Sequence, residues 1–192
     1  IEAHICQVPE FESSLAPLPL PGIPVPEIIQ KMTEAGIASG VGPMAAVAGA
    51  VAEFTGKQLL SRTRQVLVEN GGDIFVKSDT LTRITIYAEN SPFSMTCGIE
   101  ISPQKESFGI CTSSGTLGHS KSFGKADAAM AFSHSCTLAD AVATALGNRI
   151  ESAADIQTAI DWGKSIPGIR GMVILKGENI GIWGEDLKLV RL

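Results

Sequence analysis

Residues Gly109 to Asn148 read GICTSSGTLGHSKSFGKADAAMAFSHSCTLADAVATALGN. The segment opens as a strand and passes into a turn-rich loop, Thr112-Ser113-Ser114-Gly115-Thr116-Leu117-Gly118-His119-Ser120. A second apolar run over Ala128 to Phe132 reads as another strand, and a helix of small residues follows from about Ala139 to Leu146. Hydroxyls, two histidines, Gly-rich backbone and a carboxylate near a helix start lie within one segment. Such groups build phosphate and metal sites.

The remainder of the chain supplies layers for this segment to pack against. Gln65 to Glu69 and Ile74 to Val76 read as strands joined by Asn70-Gly71-Gly72-Asp73, a hairpin signal because Asn-Gly accepts the positive φ that tight hairpin turns demand. Arg83 to Tyr87 continues the sheet by alternation. Cys97 to Ile101 and Phe108 to Thr112 are expected to pair around Pro103. Short strands at Met172–Leu175, Ile180–Trp183 and Leu187–Val190 close the chain, with tight turns at Gly177 and Gly184. Prolines from Pro9 to Pro26 fix φ and remove donors, so that stretch is expected to be extended surface chain. Pro26 is placed to open a helix reaching about Ala38, with Ile28, Met32 and Ala35 on its apolar face. A Gly-rich turn, Gly40-Val41-Gly42, opens into a second small-residue helix through Phe54. Its free N–H groups would suit phosphate. Another helix is expected over Ser152 to Trp162.

The chain has 192 residues, 44% of them hydrophobic and 18% charged, enough for one large core. The expectation is one domain built from two intimately packed halves. A net charge of −5 argues against nucleic acid as a partner, since no basic patch is available to release counterions. No apolar run approaches the ~20 residues of a membrane span. Cys6, Cys97, Cys111 and Cys136 form no CxxC pair, which argues against zinc and for reduced thiols in a cytoplasmic setting. Ala45 to Ala52 and Ala139 to Ala145 echo each other, each after a Gly/Ser-rich turn. Either an internal duplication or the chance likeness of two Ala-rich helices explains that.

Asp140 and Thr144 lie four apart, hence on one helix face. Together they suit Mg²⁺, a hard cation that takes oxygen ligands. The competing reading makes Asp140 the carboxylate of a capping box on Thr137, with Thr144 bonded back to its own helix. His119, in a Gly/Ser loop, reads as a general acid/base or a phosphate contact, or as an idle loop residue. Thr112, Ser113 and Ser114 offer hydroxyls and turn amides to a phosphate. No GxSxG elbow exists, so a serine hydrolase is unsupported.

VGPMAAVAGAVAE, ENGGDIFV, TSSGTLGHS and LADAVATALGN, in that order, resemble a family of uncharacterised ApbE-like proteins over nearly the whole chain. More distantly they resemble ApbE itself, an FAD:protein FMN transferase once called a thiamine-biosynthesis lipoprotein. The resemblance implies an α+β, ApbE-like fold, internally duplicated, with mixed or antiparallel sheets packed on Ala-rich helices and a nucleotide cleft between the halves. It implies Mg²⁺ on Asp140 and Thr144, with a backbone carbonyl of the Gly42–Ala45 turn as third ligand. Gly71, Gly72 and Asp73 would line a flavin (FAD) site, and Ser114, Gly115 and His119 would match the TSG loop and its histidine. Two departures stand out. Ala46 occupies the place of the ApbE lysine, and Ser120-Lys121-Ser122 that of its Asp-Pro. Three functions therefore compete: a Mg²⁺-dependent flavin transferase or FAD pyrophosphate hydrolase, a nucleotide-binding module without chemistry, and a partner-binding protein.

Overall fold

The computed structural model describes residues 1–88, 91–113, 124–184 and 187–192. Two short helices open the chain, α1 (Glu2–Gln7) and α2 (Glu10–Ser13), followed by α3 (Glu27–Ser39) and a 3₁₀ turn at Pro43–Ala46 that runs into α4 (Val47–Leu60). Five strands come next: β1 (Val66–Asn70), β2 (Asp73–Lys77), β3 (Thr82–Thr85), β4 (Cys97–Ile101) and β5 (Phe108–Ser113). β6 (Ala128–Ser133), α5 (Cys136–Gly147), a 3₁₀ turn at Ala153–Asp155, α6 (Ile156–Lys164), β7 (Ile169–Lys176), β8 (Asn179–Trp183) and β9 (Leu187–Arg191) complete the order. The expected α+β class holds, and every strand pairing among the described residues is antiparallel.

Six strands form the main sheet in the order β1-β2-β5-β6-β7-β8, and β3-β4-β9 form a second. Two sequence expectations are corrected here. β3 does not continue the main sheet but pairs with β4. β4 and β5 do not pair with each other: β4 lies between β3 and β9, while β5 lies between β2 and β6. The linker around Pro103 is therefore a crossover between sheets. Both strands carry apolar residues on alternate positions, and alternation is satisfied equally by either sheet.

The central strands read as almost continuous apolar runs because both faces are covered. On one face Val76, Ile110, Met130, Phe132 and Val173 meet Ile84, Ile86, Ile99 and Ile101 of the second sheet. On the other, Phe75, Cys111, Ala129, Ala131, Met172 and Ile174 meet Ala139, Val142, Ala143 and Leu146 of α5 and Ala52 of α4. A third cluster joins α3 to the helical layer through Ile29, Met32, Ala35, Ala46, Ala50, Ala141 and Ala145. α5 is thus buried all round, with eleven of its twelve residues inside, and its lack of large side chains is what lets neighbours approach from every side. On α3, Met32 and Ala35 are buried as expected, but Ile29 is buried in place of Ile28, which is only half-buried. Pro26 is the residue before that helix, and Gly40 ends it in the left-handed region at φ +75°. The proline-rich start is not wholly extended, because α2 inserts Phe11 into the core. All four cysteines are free thiols, and the Cys111 and Cys136 sulfurs lie 3.5 Å apart.

Candidate functional site

The β1–β2 hairpin closes with Asn70 opposite Asp73, leaving Gly71 and Gly72 as its two loop residues at φ +65° and +101°. Positive φ at both positions defines the tight turn that twists with the strands, and glycine adopts it without strain. The turn aims Asp73 at the helical layer, where it is 6% exposed. Its carboxylate accepts a hydrogen bond from the Thr112 amide at 3.3 Å. Burial pushes the Asp73 carboxyl up to about 7, against the opposing hydrogen bonds from the Cys111 thiol and Thr112.

Asp140 faces the same place from α5. Burial, and after it the charge of Asp73, raises its carboxyl well above the ordinary range. The Gly49 amide donates to Asp140 Oδ2 at 2.8 Å, and the Ala48 amide adds to this. The capping-box reading of Asp140 is therefore corrected. Asp140 caps the first turn of α4, whose own preceding residue, Ala46, has no polar side-chain atom to cap it. The residue capping α5 is Ser135, whose hydroxyl accepts from the Leu138 amide at 3.2 Å; the helix starts at Cys136, earlier than expected. Thr137, the expected cap, lies inside the first turn.

The back-bonding expected of Thr144 is absent. Thr33 on α3 shows what that bond looks like, its hydroxyl donating to the Ile29 carbonyl at 2.9 Å. The Thr144 hydroxyl has no hydrogen-bond partner among the described residues, although the residue is only 9% exposed. Asp140 and Thr144 lie one turn apart on α5, and both are buried. Carboxylate and hydroxyl oxygens suit a hard cation completed by carbonyls, water and phosphate. No group of three or more His, Cys, Asp and Glu among the described residues is placed to hold a metal.

Sequence reasoning missed one residue. Glu53 on α4 is 3% exposed, and its Oε2 accepts from the Thr137 amide at 2.9 Å, the Thr137 hydroxyl at 2.9 Å and the Ser135 hydroxyl at 3.1 Å. Lys57 donates to its other oxygen at 2.6 Å. Burial works to raise the Glu53 carboxyl, and the hydrogen bonds and charge of Lys57 together with those of Thr137 outweigh it, leaving it below the usual value. The available signal was an acid following the apolar first half of α4. The phosphate expectation for the α4 start changes with these contacts, because Asp140 occupies the α4 amides and Glu53 an α5 amide.

On the opposite face of the main sheet, between it and the second sheet, lies a cavity of ≈ 320 Å³. Gly71, Gly72 and Thr112 contribute to its wall, with Ile74, Ile84, Ile86, Tyr87 and Met130 as its apolar part and Glu69 as an acid. Ser113 ends β5 and is buried. Gly42 lies elsewhere: its amide donates to Leu15 O at 3.0 Å, and Ser14 O fills the space a Cβ would need. Ala46 is fully buried in the helical core. Ser114, Gly115 and His119 lie outside the described residues, as does Lys121.

A family model described as "AbpE bacteria" matches residues 1–180, and the chain belongs to this family. A UPF0280 protein of Methanocella arvoryzae is 42% identical over 192 residues, covering 100% of this chain and 78% of the relative. One of Methanospirillum hungatei is 42% identical, covering 100% and 76%. Among solved structures, the apo form of the flavinyl transferase ApbE of Pseudomonas stutzeri superposes with a TM-score of 0.52 at 15% identity, over 75% of this chain and 48% of that one. The flavin transferase ApbE of Vibrio cholerae gives 0.52 at 18%, over 75% and 50%. The fold is thus ApbE-like, and the chain spans about half the length of those transferases. No single helix among the described residues is long and apolar enough to cross a membrane.

Proposed function

We propose that this chain binds a flavin dinucleotide or a related nucleotide together with Mg²⁺ at the hairpin end of the main sheet. The observation that carries the reading is Thr144, a buried residue whose hydroxyl has no hydrogen-bond partner among the described residues, one turn from Asp140. The cavity supports it, being apolar over most of its wall and polar at Gly71, Gly72 and Thr112. So does the fold shared with flavin transferases.

Asp140 and Thr144 would hold the cation, which supplies neutralisation of pyrophosphate charge when bound. Asp140 Oδ2 stays on the Gly49 amide, and Oδ1 would be the oxygen that meets the cation. Asp73, close enough for its charge to raise the Asp140 carboxyl, adds negative charge that favours cation over bare phosphate. The hairpin glycines would let backbone approach the ligand, and Ile74, Ile84, Ile86 and Met130 would take its ring away from water. Transfer of FMN, or cleavage of the FAD pyrophosphate, would further need a proton-handling group such as His119. The alternative is a binding module without chemistry. It is favoured by Ala46, whose buried position leaves no side-chain cation where the transferase pattern has lysine.

Calorimetric titration of FAD with and without Mg²⁺ tests the reading. Wild type should bind only with Mg²⁺. Asp140→Asn should lose that dependence while staying folded, and Thr144→Val should weaken binding about tenfold or more through loss of a ligand. Folded wild-type protein that binds no flavin nucleotide under either condition would leave the partner-binding function.

A further inference from the structure

Four points on α4 and α5 close a circuit. Asp140 of α5 takes the Gly49 amide of α4. Glu53, one turn further along α4, takes the Thr137 amide and hydroxyl and the Ser135 hydroxyl at the start of α5. Thr137 is one turn before Asp140, and Gly49 one turn before Glu53. Two helix turns and two carboxylate clamps therefore fix the sliding register of one helix on the other. The fit is close, since a Cβ on Gly49 would stand 2.5 Å from Cys136 O and 2.7 Å from Asp140 Cβ. No tolerance is left for α5 to shift without moving Asp140.

We infer that Glu53 is a positioning residue for the cation site. It touches no ligand itself. Through Thr137 and Ser135 it sets where α5 presents Asp140 and Thr144. This rests on the proposed Mg²⁺ reading of those two residues. The burial of Glu53 agrees with such a role: a carboxylate 3% exposed costs desolvation, and one that served only helix capping could be replaced by the Ser135 hydroxyl already present. Residues that orient metal ligands typically change affinity 10–100-fold when removed.

The test is Mn²⁺ binding to the whole 192-residue chain by electron paramagnetic resonance, on protein shown folded by circular dichroism. Mn²⁺ stands in for Mg²⁺, and no flavin is needed. Glu53→Ala should weaken Mn²⁺ binding at least tenfold. Glu53→Gln should stay within about threefold of wild type, because its amide oxygen can accept from the same three donors. Ala159→Gly in α6, a helix that makes none of the circuit's hydrogen bonds, is chosen to lower the melting temperature and should leave affinity unchanged. If Glu53→Ala does not fold, the Ser135→Ala/Thr137→Val double variant removes both hydroxyls from the α5 side and should weaken binding in the same direction. Equal losses in the Ala and Gln variants would mean long-range charge and overturn positioning. A Glu53→Ala protein that binds as wild type does, or an Ala159→Gly protein that weakens equally, overturns it too. Wild type that binds no Mn²⁺ would sink the cation site itself and positioning with it, a result distinct from the others.

Discussion

The two small-residue helices begin in different ways. α5 carries its own cap, Ser135, and receives a second from Glu53. α4 follows a 3₁₀ turn that ends in Ala46, has no side-chain cap of its own, and borrows the carboxylate of Asp140. The asymmetry says which helix depends on which. α5 can start without α4, whereas the α4 start is completed only when α5 is docked with Asp140 in place. A residue proposed to hold a cation is thereby also part of the helix-packing surface, and the site and the fold share a side chain.

The most severe way to break this arrangement is at Gly49. A branched side chain there would meet Cys136 O and Asp140 Cβ well inside contact distance, and both belong to a helix packed on every side. Gly49→Val should destabilise by about 3 kcal/mol, the upper end of what overpacking usually costs. Urea unfolding would show it as a lower midpoint with an unchanged slope. A loss under about 1 kcal/mol would mean that the helices separate easily and that the Asp140 contact is not a constraint.

These contacts also mark where sequence reasoning ran out. The layers were legible because β2, β6 and β7 are continuous apolar runs and α5 is a continuous small-residue run. The hairpin was legible because Asn70-Gly71 announces a tight turn, although the positive φ falls at Gly71 and Gly72 while Asn70 stays in β1. The pairing of β4 was not, since alternation names a face and not a partner sheet. Asp140 and Thr144 were visible as a four-residue spacing, but a capping box explains the same letters. The fold removes the capping box, since Ser135 takes the N-cap role and the Thr144 hydroxyl has no partner among the described residues. The role of Glu53 was illegible because its partners on α5 are more than 80 residues away in sequence.

Acidity should sharpen the comparison, because the buried acids differ in sign. Glu53 is held below its usual value by Lys57 and Thr137, so it contributes stability above the ordinary glutamate range, lost as pH falls through its folded value. Asp73 is raised to about 7 from 3.8 by burial. Between those values the folded chain holds a proton that the unfolded chain has released, so stability falls as pH rises through that window. Asp140 is shifted in the same direction. From pH 5 to pH 8, metal-free protein should lose on the order of 2 kcal/mol, or roughly 5 °C in melting temperature. Asp73→Asn should flatten that slope, and Mg²⁺ should stabilise wild type more at pH 8 than at pH 5. A wild-type melting temperature that rises across this range, with Asp73→Asn behaving identically, would show that Asp73 is not a burdened carboxylate.

The smallest effect should come from the helix with two caps. Ser135→Ala removes the hydroxyl that accepts from the Leu138 amide, and with it one of the three donors to Glu53 Oε2. The Thr137 amide and hydroxyl remain on Glu53 at 2.9 Å each, so the first turn of α5 keeps a carboxylate. Loss of a hydroxyl N-cap costs about 1 kcal/mol on average, and the remaining clamp should keep this case at or below that figure. In a Glu53→Gln background the same substitution should cost more, because the amide oxygen that replaces the carboxylate accepts more weakly than a charged one. A double-mutant cycle on urea midpoints reads the difference directly. Strict additivity would mean that the two caps act on separate donors and that α5 starts independently of α4. Coupling of about 0.5 kcal/mol or more would mean that Ser135 and Glu53 form one device, the feature that the α4 start lacks.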